Sequence, residues 1–209
     1  VQLAAAERVL QRRYALEVMA QGATLADPER FDLRGKLTVG RDVFIDVGAV
    51  FTGNVVLGDR VRIGSNSAVS DSSLGEDCQV HEHCVIDGLV AGASCEIGPF
   101  ARLRPGTEFQ ERVKVGNFVE VKASNVAPGS KINHLSYVGD TSVGRDVNVG
   151  AGTITCNYDG VAKYRTQIGD EVFVGSGVML VAPLEVGAGA TIAAGSTITK
   201  NVPGEALAV

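Results

Sequence analysis

Aliphatic residues recur at every sixth position over most of this chain. A second apolar or small residue stands four positions after most of them. A six-residue period matches neither an α-helix, with 3.6 residues per turn, nor a strand that alternates every second residue. The aliphatic runs are Val39, Ile45, Phe51, Leu57, Ile63 and Val69; Ile97, Leu103, Phe109, Val115 and Val121; and Ile168, Val174, Leu180, Val186, Ile192 and Ile198.

The six-residue period predicts a mostly β fold, a left-handed parallel β-helix of hexapeptide repeats, in which each hexapeptide forms one face of a three-sided coil. The aliphatic residue fills the interior, the small residue fits near a corner, and the glycine that often follows permits the turn. With about 18 residues per coil, the stretch from Val39 to Val202 predicts about nine coils. Hydrogen bonds between coils would space them about 4.8 Å apart.

The first residues lack this period and predict a helix instead. Residues 1–22 place Leu3, Ala6, Leu10, Tyr14 and Val18 at helical spacing and end on Gly22, a residue typical of helix C-termini. We expect 1–22 to be a linker helix to a further domain and 23–38 to be a connecting segment. The β-helix domain would then occupy 39–209.

Composition limits the classes of partner. The 209 residues carry a formal net charge of −5, so no broad basic surface for nucleic acid is expected. No apolar run approaches the roughly 18 residues of a membrane span, and the N-terminal residues do not resemble a signal peptide. The sequence therefore predicts no nucleic-acid partner and no membrane insertion.

The four cysteines form no CxxC pair. Cys78, Cys84 and Cys95 each lie four positions after an aliphatic position, which predicts buried structural thiols in a reducing, cytoplasmic compartment. Cys156 lies beside an interruption of the repeat, where a covalent acetyl-cysteine route is conceivable. No His-paired environment for Cys156 is readable from the sequence.

The repeat is interrupted twice, and interruptions of a solenoid are where function is usually found. The first predicted interruption is 126–131, "VAPGSK". The second begins after Thr155, where "CNYDGVAKYRT" precedes the return of the period at Ile168. If both segments leave the coil on the same side, they would form a concave site.

Several polar residues near these interruptions suggest chemistry. Arg104 and Lys122 are separated by one coil length, so they should stack in adjacent coils and could hold an anion between them. The alternative is two independent solvated charges. His134 could act as a general base near neutral pH, and Glu120 is a candidate to orient its ring.

A zinc site is not expected. His81 and His83 invite comparison with three-histidine zinc sites, but His134 lies nearly three coils beyond His83, or roughly 14 Å along the axis at the usual coil spacing. Zinc–nitrogen bonds of about 2.0–2.1 Å cannot bridge that distance within one chain. The sequence therefore predicts no metal site.

Five motifs, in order and with matching spacings, carry a family resemblance. They are "IGPFARLRPG", "VGNFVEVKAS", "HLSYVGD", "NVGAGTITCNYDG" with Lys163, and "VFVGSGVMLVAP". Together they resemble the C-terminal half of the bacterial bifunctional N-acetylglucosamine-1-phosphate uridylyltransferase/glucosamine-1-phosphate acetyltransferases, and the resemblance covers nearly the whole chain. It implies acetyl transfer from acetyl-CoA to glucosamine 1-phosphate for UDP-N-acetylglucosamine synthesis. It also implies a homotrimer with sites between subunits and a looped-out segment that reaches the neighbouring subunit.

The resemblance also assigns residues. His134 would be the general base. Glucosamine 1-phosphate would be bound by Arg104, Lys122, Tyr137, Asn148 and Lys163, and acetyl-CoA by Ala151, Asn157, Tyr158, Ser176 and Ala194. This half needs no metal, whereas magnesium is expected only for the uridylyltransferase half. The sequence ends at "GEALAV", before a basic residue that contacts CoA in the family, so a lower CoA affinity is expected.

Two other function classes stay open from the residues alone. A non-catalytic assembly scaffold would not need His134, Arg104 and Lys122 beside a broken repeat. Another acyltransferase, similar to serine O-acetyltransferase, maltose acetyltransferase or a tetrahydrodipicolinate succinyltransferase, would share the general repeat. An unphosphorylated acceptor, however, would not require the Arg104–Lys122 pair.

Overall fold

The computed structural model describes residues 1–209 as one helix, one short 3₁₀ helix and 28 short strands. The helix α1 spans Gln2–Ala20 and the 3₁₀ helix spans Pro28–Arg30. The strands are β1 Thr24–Leu25, β2 Asp32–Val39, β3 Phe44–Ile45, β4 Val50–Leu57, β5 Arg62–Ile63, β6 Ala68–Ser70, β7 Ser73–Leu74, β8 Gln79–Val80, β9 Val85–Asp87, β10 Leu89–Ala91, β11 Glu96–Ile97, β12 Arg102–Leu103, β13 Thr107–Phe109, β14 Lys114–Asn117, β15 Glu120–Lys122, β16 Asn125–Val126, β17 Lys131–His134, β18 Tyr137–Gly139, β19 Thr141–Val143, β20 Asn148–Val149, β21 Ile154–Cys156, β22 Thr166–Ile168, β23 Phe173–Val174, β24 Met179–Val181, β25 Leu184–Val186, β26 Thr191–Ile192, β27 Thr197–Ile198 and β28 Leu207–Ala208.

Every strand pairing between these elements is parallel, as the six-residue period predicts. One face of the coil is an 11-stranded sheet to which each coil contributes one strand, from β1 to β28. The other strands form a second sheet that continues around the remaining two faces, since β4 pairs with both β6 and β7. The chain is thus a parallel β-solenoid of about ten turns, close to the number of coils predicted.

The interior is built from the residues that define the repeat. All the aliphatic residues of the three runs are buried, and so are the small residues that follow them at four positions, such as Ala49 and Ser67. Buried hydroxyls at the corners satisfy backbone groups of adjacent coils; for example, the Ser130 hydroxyl donates to the Gly144 carbonyl at 2.6 Å and accepts from the Val147 N–H at 3.0 Å. The predicted core is confirmed.

The helix is present, but only part of its apolar spacing is buried. Leu3 and Leu10 are 85 % and 40 % exposed, whereas Gln11, Ala15 and Val18 are buried. The Gln11 amide donates to the Leu33 carbonyl at 3.0 Å, and its oxygen accepts from the Leu33 N–H at 2.7 Å. Helix α1 therefore covers the open end of the coil, where the first strands would otherwise leave unpaired backbone groups. The buried face therefore shares Val18 with the predicted apolar spacing but does not include Leu3 or Leu10. The helix is not long and apolar enough to cross a membrane.

Strand pairing begins inside the segment 23–38. Thr24–Leu25 pairs with Phe44–Ile45, and the whole of β2 pairs with β4. The segment between the helix and Val39 thus already takes the form of a coil.

The spacing between paired strands shows where the coil is interrupted. Lys114 pairs with Lys131 and Lys131 with Asn148, each one ordinary coil length further on, so 126–131 is an ordinary turn and the first predicted interruption is wrong. Asn148 pairs with Phe173, which makes this coil longer than those before it. The extra length is the segment 157–165, called the excursion below, so the second predicted interruption is confirmed.

Candidate active site

One corner of the solenoid carries His134 and three of the residues predicted to bind acetyl-CoA. The registers Lys131↔Asn148, Asn148↔Phe173 and Phe173↔Thr191 place these four residues in successive coils, in line along the axis. Backbone hydrogen bonds along the corner confirm the alignment, as from the Gly177 N–H to the Ala151 carbonyl at 2.7 Å. The residues in this line are His134, Ala151, Ser176 and Ala194.

In each coil the next residue at this corner has left-handed backbone geometry, and its size changes at His134. On one side stand Phe100, Phe118 and Leu135, with φ of 56°, 54° and 50°. On the other side stand Gly152, Gly177 and Gly195, with φ between 70° and 78°. The corner therefore carries large side chains in the coils up to and including that of His134, and none in the coils that follow. At Gly195, for example, an added Cβ would meet no atom within 4 Å. This glycine stretch begins in the coil that follows His134.

The His134 ring has a partner that sequence reasoning missed. Its Nδ1 lies 2.8 Å from the Asn117 Oδ1, and the two residues pair in register across β14 and β17. The predicted orienter, Glu120, instead accepts a hydrogen bond from Arg104 Nη1 at 2.9 Å. Glu120 pairs in register with Arg102 and Tyr137 on the next face of the prism. There its carboxylate binds Arg104 and not the His134 ring.

Arg104 and Lys122 stack in adjacent coils, as their spacing predicts. The register Leu103↔Val121 puts them side by side on the face formed by β12, β15 and β18. Each cation, however, has its own carboxylate: Glu120 beside Arg104, and Asp140 at 3.6 Å from Lys122 Nζ. Arg104 and Lys122 are therefore not an uncompensated pair of repelling charges.

The excursion adds a third cation to this face. Lys163 lies near Lys122, and two effects lower the pKa of Lys163 below its ordinary value: a hydrogen bond from Lys122, which Lys163 can accept only as a neutral amine, and the repulsion between the two groups when both are charged. The same hydrogen bond, followed by the nearby Asp140 carboxylate, raises the pKa of Lys122. With Arg104, three basic side chains meet two carboxylates, an arrangement in which an added anion would relieve repulsion.

Tyr137 and Asn157 complete this cluster, and a glycine makes room for them. The Asn157 Nδ2 lies 3.4 Å from the Tyr137 hydroxyl and also donates to Asp140. A Cβ at Gly139 would stand 2.4 Å from the Tyr137 hydroxyl and 2.8 Å from the Asn157 amide nitrogen. Gly139 is paired with Lys122, so its missing side chain lets the Tyr137 hydroxyl and the Asn157 amide lie close to the strand that carries Lys122.

Two predicted residues lie apart from this cluster. Asn148 stands on the 11-stranded face, in register with Lys131 and Phe173, on the other side of the corner from Arg104 and Lys122. Tyr158 is exposed at the start of the excursion and forms an isolated bridge with Lys163. Within one chain, the predicted residues thus occupy two different faces.

The excursion contacts its own coil, although the resemblance implies that it reaches a neighbouring subunit. Its entry is held by Asn157, which is buried, and its far end is held by Thr166, whose N–H donates to the Asp140 carbonyl at 3.3 Å. The middle of the excursion, including Val161, is exposed.

The remaining histidines and the cysteines have identifiable surroundings. His81 lies 3.2 Å from Glu96, and the His83 ring stacks on Phe100. The thiols of Cys78, Cys84 and Cys95 are buried as predicted, and burial raises the pKa of Cys84 to about 11. The Cys156 thiol contacts only the Ile154 carbonyl, at 4.0 Å, which offers no base to activate it.

Asn117 and Asp140 are the residues that sequence reasoning missed. Both carry a readable signal once the coil length is known, because Asn117 lies one coil before His134, and Asp140 lies next to Gly139, the residue one coil after Lys122. Such spacings place a polar side chain one coil away from a candidate residue.

Comparison with known proteins agrees with the fold. Residues 33–115 match the family described as GMPPB C-terminal domain, and residues 165–200 match the bacterial transferase hexapeptide family. A solved UDP-N-acetylglucosamine acyltransferase from Francisella novicida superposes with a TM-score of 0.63 at 17 % identity, covering 89 % of this chain and 67 % of that one. At this identity the likeness concerns the fold alone.

Two curated relatives are much closer in sequence. The bifunctional protein GlmU of Alkalilimnicola ehrlichii is 61 % identical over 209 residues, which is 100 % of this chain and 45 % of the relative. The bifunctional protein GlmU of Marinobacter nauticus is 57 % identical over the same length, covering 46 % of that protein. The chain spans less than half the length of these relatives.

Proposed function

We propose that this chain, which closely matches the C-terminal part of the bacterial bifunctional protein GlmU along its whole length, is a glucosamine-1-phosphate N-acetyltransferase. It would transfer acetyl from acetyl-CoA to the amino group of glucosamine 1-phosphate, giving N-acetylglucosamine 1-phosphate for UDP-N-acetylglucosamine synthesis. The observation that carries this proposal is the three-cation cluster on the face that follows the corner of His134.

The cation cluster suits the phosphate of the acceptor. Arg104 offers a planar fork to phosphate oxygens, and Lys122 and Lys163 add compact charges. Because Glu120 and Asp140 balance only two of the three positive charges, an incoming phosphate gains attraction and relieves the repulsion between Lys122 and Lys163. An unphosphorylated amine would gain neither effect.

His134 would act as the general base. A hydrogen bond from its Nδ1–H to the Asn117 oxygen leaves Nε2 as the free acceptor. Nε2 takes a proton from the amine as the nitrogen attacks the thioester carbonyl, so the C–N bond forms, the C–S bond breaks and CoA leaves as the thiol after receiving a proton. No covalent enzyme intermediate is needed, and holding both substrates in line supplies much of the acceleration.

The glycine stretch of the corner would bind the donor. Ala151, Ser176 and Ala194 line it with small side chains, and Asn157 and Tyr158 lie at the entry of the excursion. A long, flexible pantetheine arm could lie along this stretch with its thioester at His134. The reaction as written uses no metal, and acetyl-CoA as donor is consistent with a cytoplasmic location.

We also propose a homotrimer in which sites form between subunits. Asn148 and the Arg104–Lys122 cluster lie on two faces of one chain, so a second subunit would have to bring the missing side of the site. The exposed Phe100, Phe118 and Leu135 beside His134 form an apolar strip suited to such a contact.

The experiment that tests the activity compares the protein with its His134→Ala variant. Both are incubated with acetyl-CoA and glucosamine 1-phosphate, and the sugar product is followed by mass spectrometry. Loss of the general base should reduce kcat by about 10²–10⁴-fold with little change in either KM. Undiminished turnover in the variant would rule out His134 as the base, and no product from the unaltered protein would contradict the proposed activity.

A further inference from the structure

Asp140 holds together three parts of the cation cluster. Its carboxylate accepts a hydrogen bond from the Asn157 side chain and lies 3.6 Å from the Lys122 ammonium. Its backbone carbonyl accepts from the Thr166 N–H at 3.3 Å, and its N–H donates to the Lys122 carbonyl at 3.0 Å. One residue thus contacts both ends of the excursion and the strand that carries Lys122.

We propose that Asp140 is a positioning residue: it fastens the excursion to the coil so that Lys163 stays beside Lys122 and Arg104. This goes beyond the residues assigned above to either substrate, and its link to acceptor binding rests on the proposed function. The fastening itself is a property of the chain that can be measured without any reaction.

The excursion has few other anchors on the coil. Asn157 is its buried residue, and the Asn157 carbonyl accepts from the Tyr164 N–H at 2.9 Å, which closes the excursion on itself. Val161 and Tyr158 are exposed, and so are Lys163 and Arg165. Removing the Asp140 carboxylate would therefore leave the buried Asn157 amide without its charged acceptor, which is costly for a buried donor.

The charge of Asp140 has a second effect. Lys122 and Lys163 approach closely although both are basic, and a carboxylate 3.6 Å from Lys122 compensates one of the two charges. Without it, repulsion would favour conformations in which Lys163 swings away into solvent. Two independent contributions of Asp140, a hydrogen bond and a charge, thus favour the same conformation of the excursion.

The corner position alone does not require a carboxylate. Asp140 has left-handed geometry with φ of 50°, and Ala123 occupies the equivalent corner of the preceding coil with φ of 46°. Asp71 lies at the same corner several coils away with φ of 43°, where its carboxylate accepts from the Asn54 N–H. Asp71 is therefore a matched control for the backbone and capping role of an aspartate at this corner.

Limited trypsin digestion tests the fastening, because Lys163 and Arg165 are exposed cleavage sites inside the excursion. In Asp140→Ala, cleavage after these two residues should become at least about fivefold faster than in the unaltered protein, since opening becomes easier by the loss of a buried hydrogen bond. Asp71→Ala should leave the rate at these two sites unchanged. Asp140→Asn keeps an oxygen that accepts from Asn157 and should show a smaller increase than Asp140→Ala.

Equal cleavage of Asp140→Ala and the unaltered protein would overturn the proposal, and so would an equal increase in Asp71→Ala. If Asp140→Ala does not fold, Asn157→Ala removes the other partner of the same bond and should give the same acceleration. As a second readout, the KM for glucosamine 1-phosphate should rise more than kcat falls in Asp140→Ala. If the unaltered protein shows no transfer at all, the digestion still decides the role of Asp140, so failure of the proposed function and failure of this inference are distinguishable.

Discussion

At the scale of single residues, Asn117 is the side chain that orients His134, the proposed general base. Asn117 is a neutral acceptor at Nδ1, so it can orient the His134 ring without stabilising its protonated form as a carboxylate would. A base that must take a proton from an amine near neutral pH is best kept unprotonated. Glu120 is instead engaged with Arg104.

Replacing Asn117 tests this division of roles. In Asn117→Asp, a carboxylate would face the imidazole, favour its protonated form and shift the acidic limb of the pH–rate profile upward by about one pH unit or more. The profile of kcat/KM against pH measures the shift. Glu120→Gln is the control: it should raise the KM for the acceptor and leave the acidic limb in place. If the acidic limb of the kcat/KM profile is unchanged in Asn117→Asp, Asn117 does not contact the His134 imidazole during the reaction.

The position of a site residue was predictable from the sequence where a motif or a coil spacing pointed to that residue. Arg104 and Lys122 stack as their separation by one coil length predicts. The contacts of Asn117 and Asp140 were not predictable, because a six-residue pattern places side chains on faces but does not state which hydrogen bonds they make. Roles carried over from the resemblance remain predictions that the variants above address.

At the scale of elements, the repeat predicted strands well and interruptions less well. A proline–glycine pair at 128–129 looks like a break, yet the coil absorbs it because Gly129 takes positive φ in an ordinary corner turn. The excursion at 157–165 could be recognised because it makes one coil longer than the coils on either side. The period detects added length but does not separate a turn from a short loop of equal length.

The helix shows the opposite limitation. Apolar spacing selected Leu3 and Leu10, which are exposed, together with Val18, which is buried, whereas the first coil required a polar residue, Gln11, to pair with Leu33. Hydrophobic periodicity carries no information about backbone groups that need a partner, so the buried face could not be predicted from it.

At the scale of the whole molecule, the exposed apolar strip and the divided site predict association. Sedimentation equilibrium should give a mass three times that of the 21.7 kDa chain. Phe118→Glu would place a charge in the strip and should lower both the mass and the transfer activity, whereas Leu3→Glu, on the exposed face of α1, should change neither. A monomer with full activity would contradict the proposed trimer.

The most direct test of the account is the choice of acceptor. Loss of the thioester absorbance of acetyl-CoA is followed with glucosamine 1-phosphate, glucosamine 6-phosphate and glucosamine, since the four cysteines would react with a thiol reagent. We expect turnover with the 1-phosphate and a kcat/KM at least about 10²-fold lower with the other two, because only the 1-phosphate would place its anion among Arg104, Lys122 and Lys163 with the amine at His134. Equal turnover of glucosamine and glucosamine 1-phosphate would contradict it, because the cation cluster would then have no part in recognising the substrate.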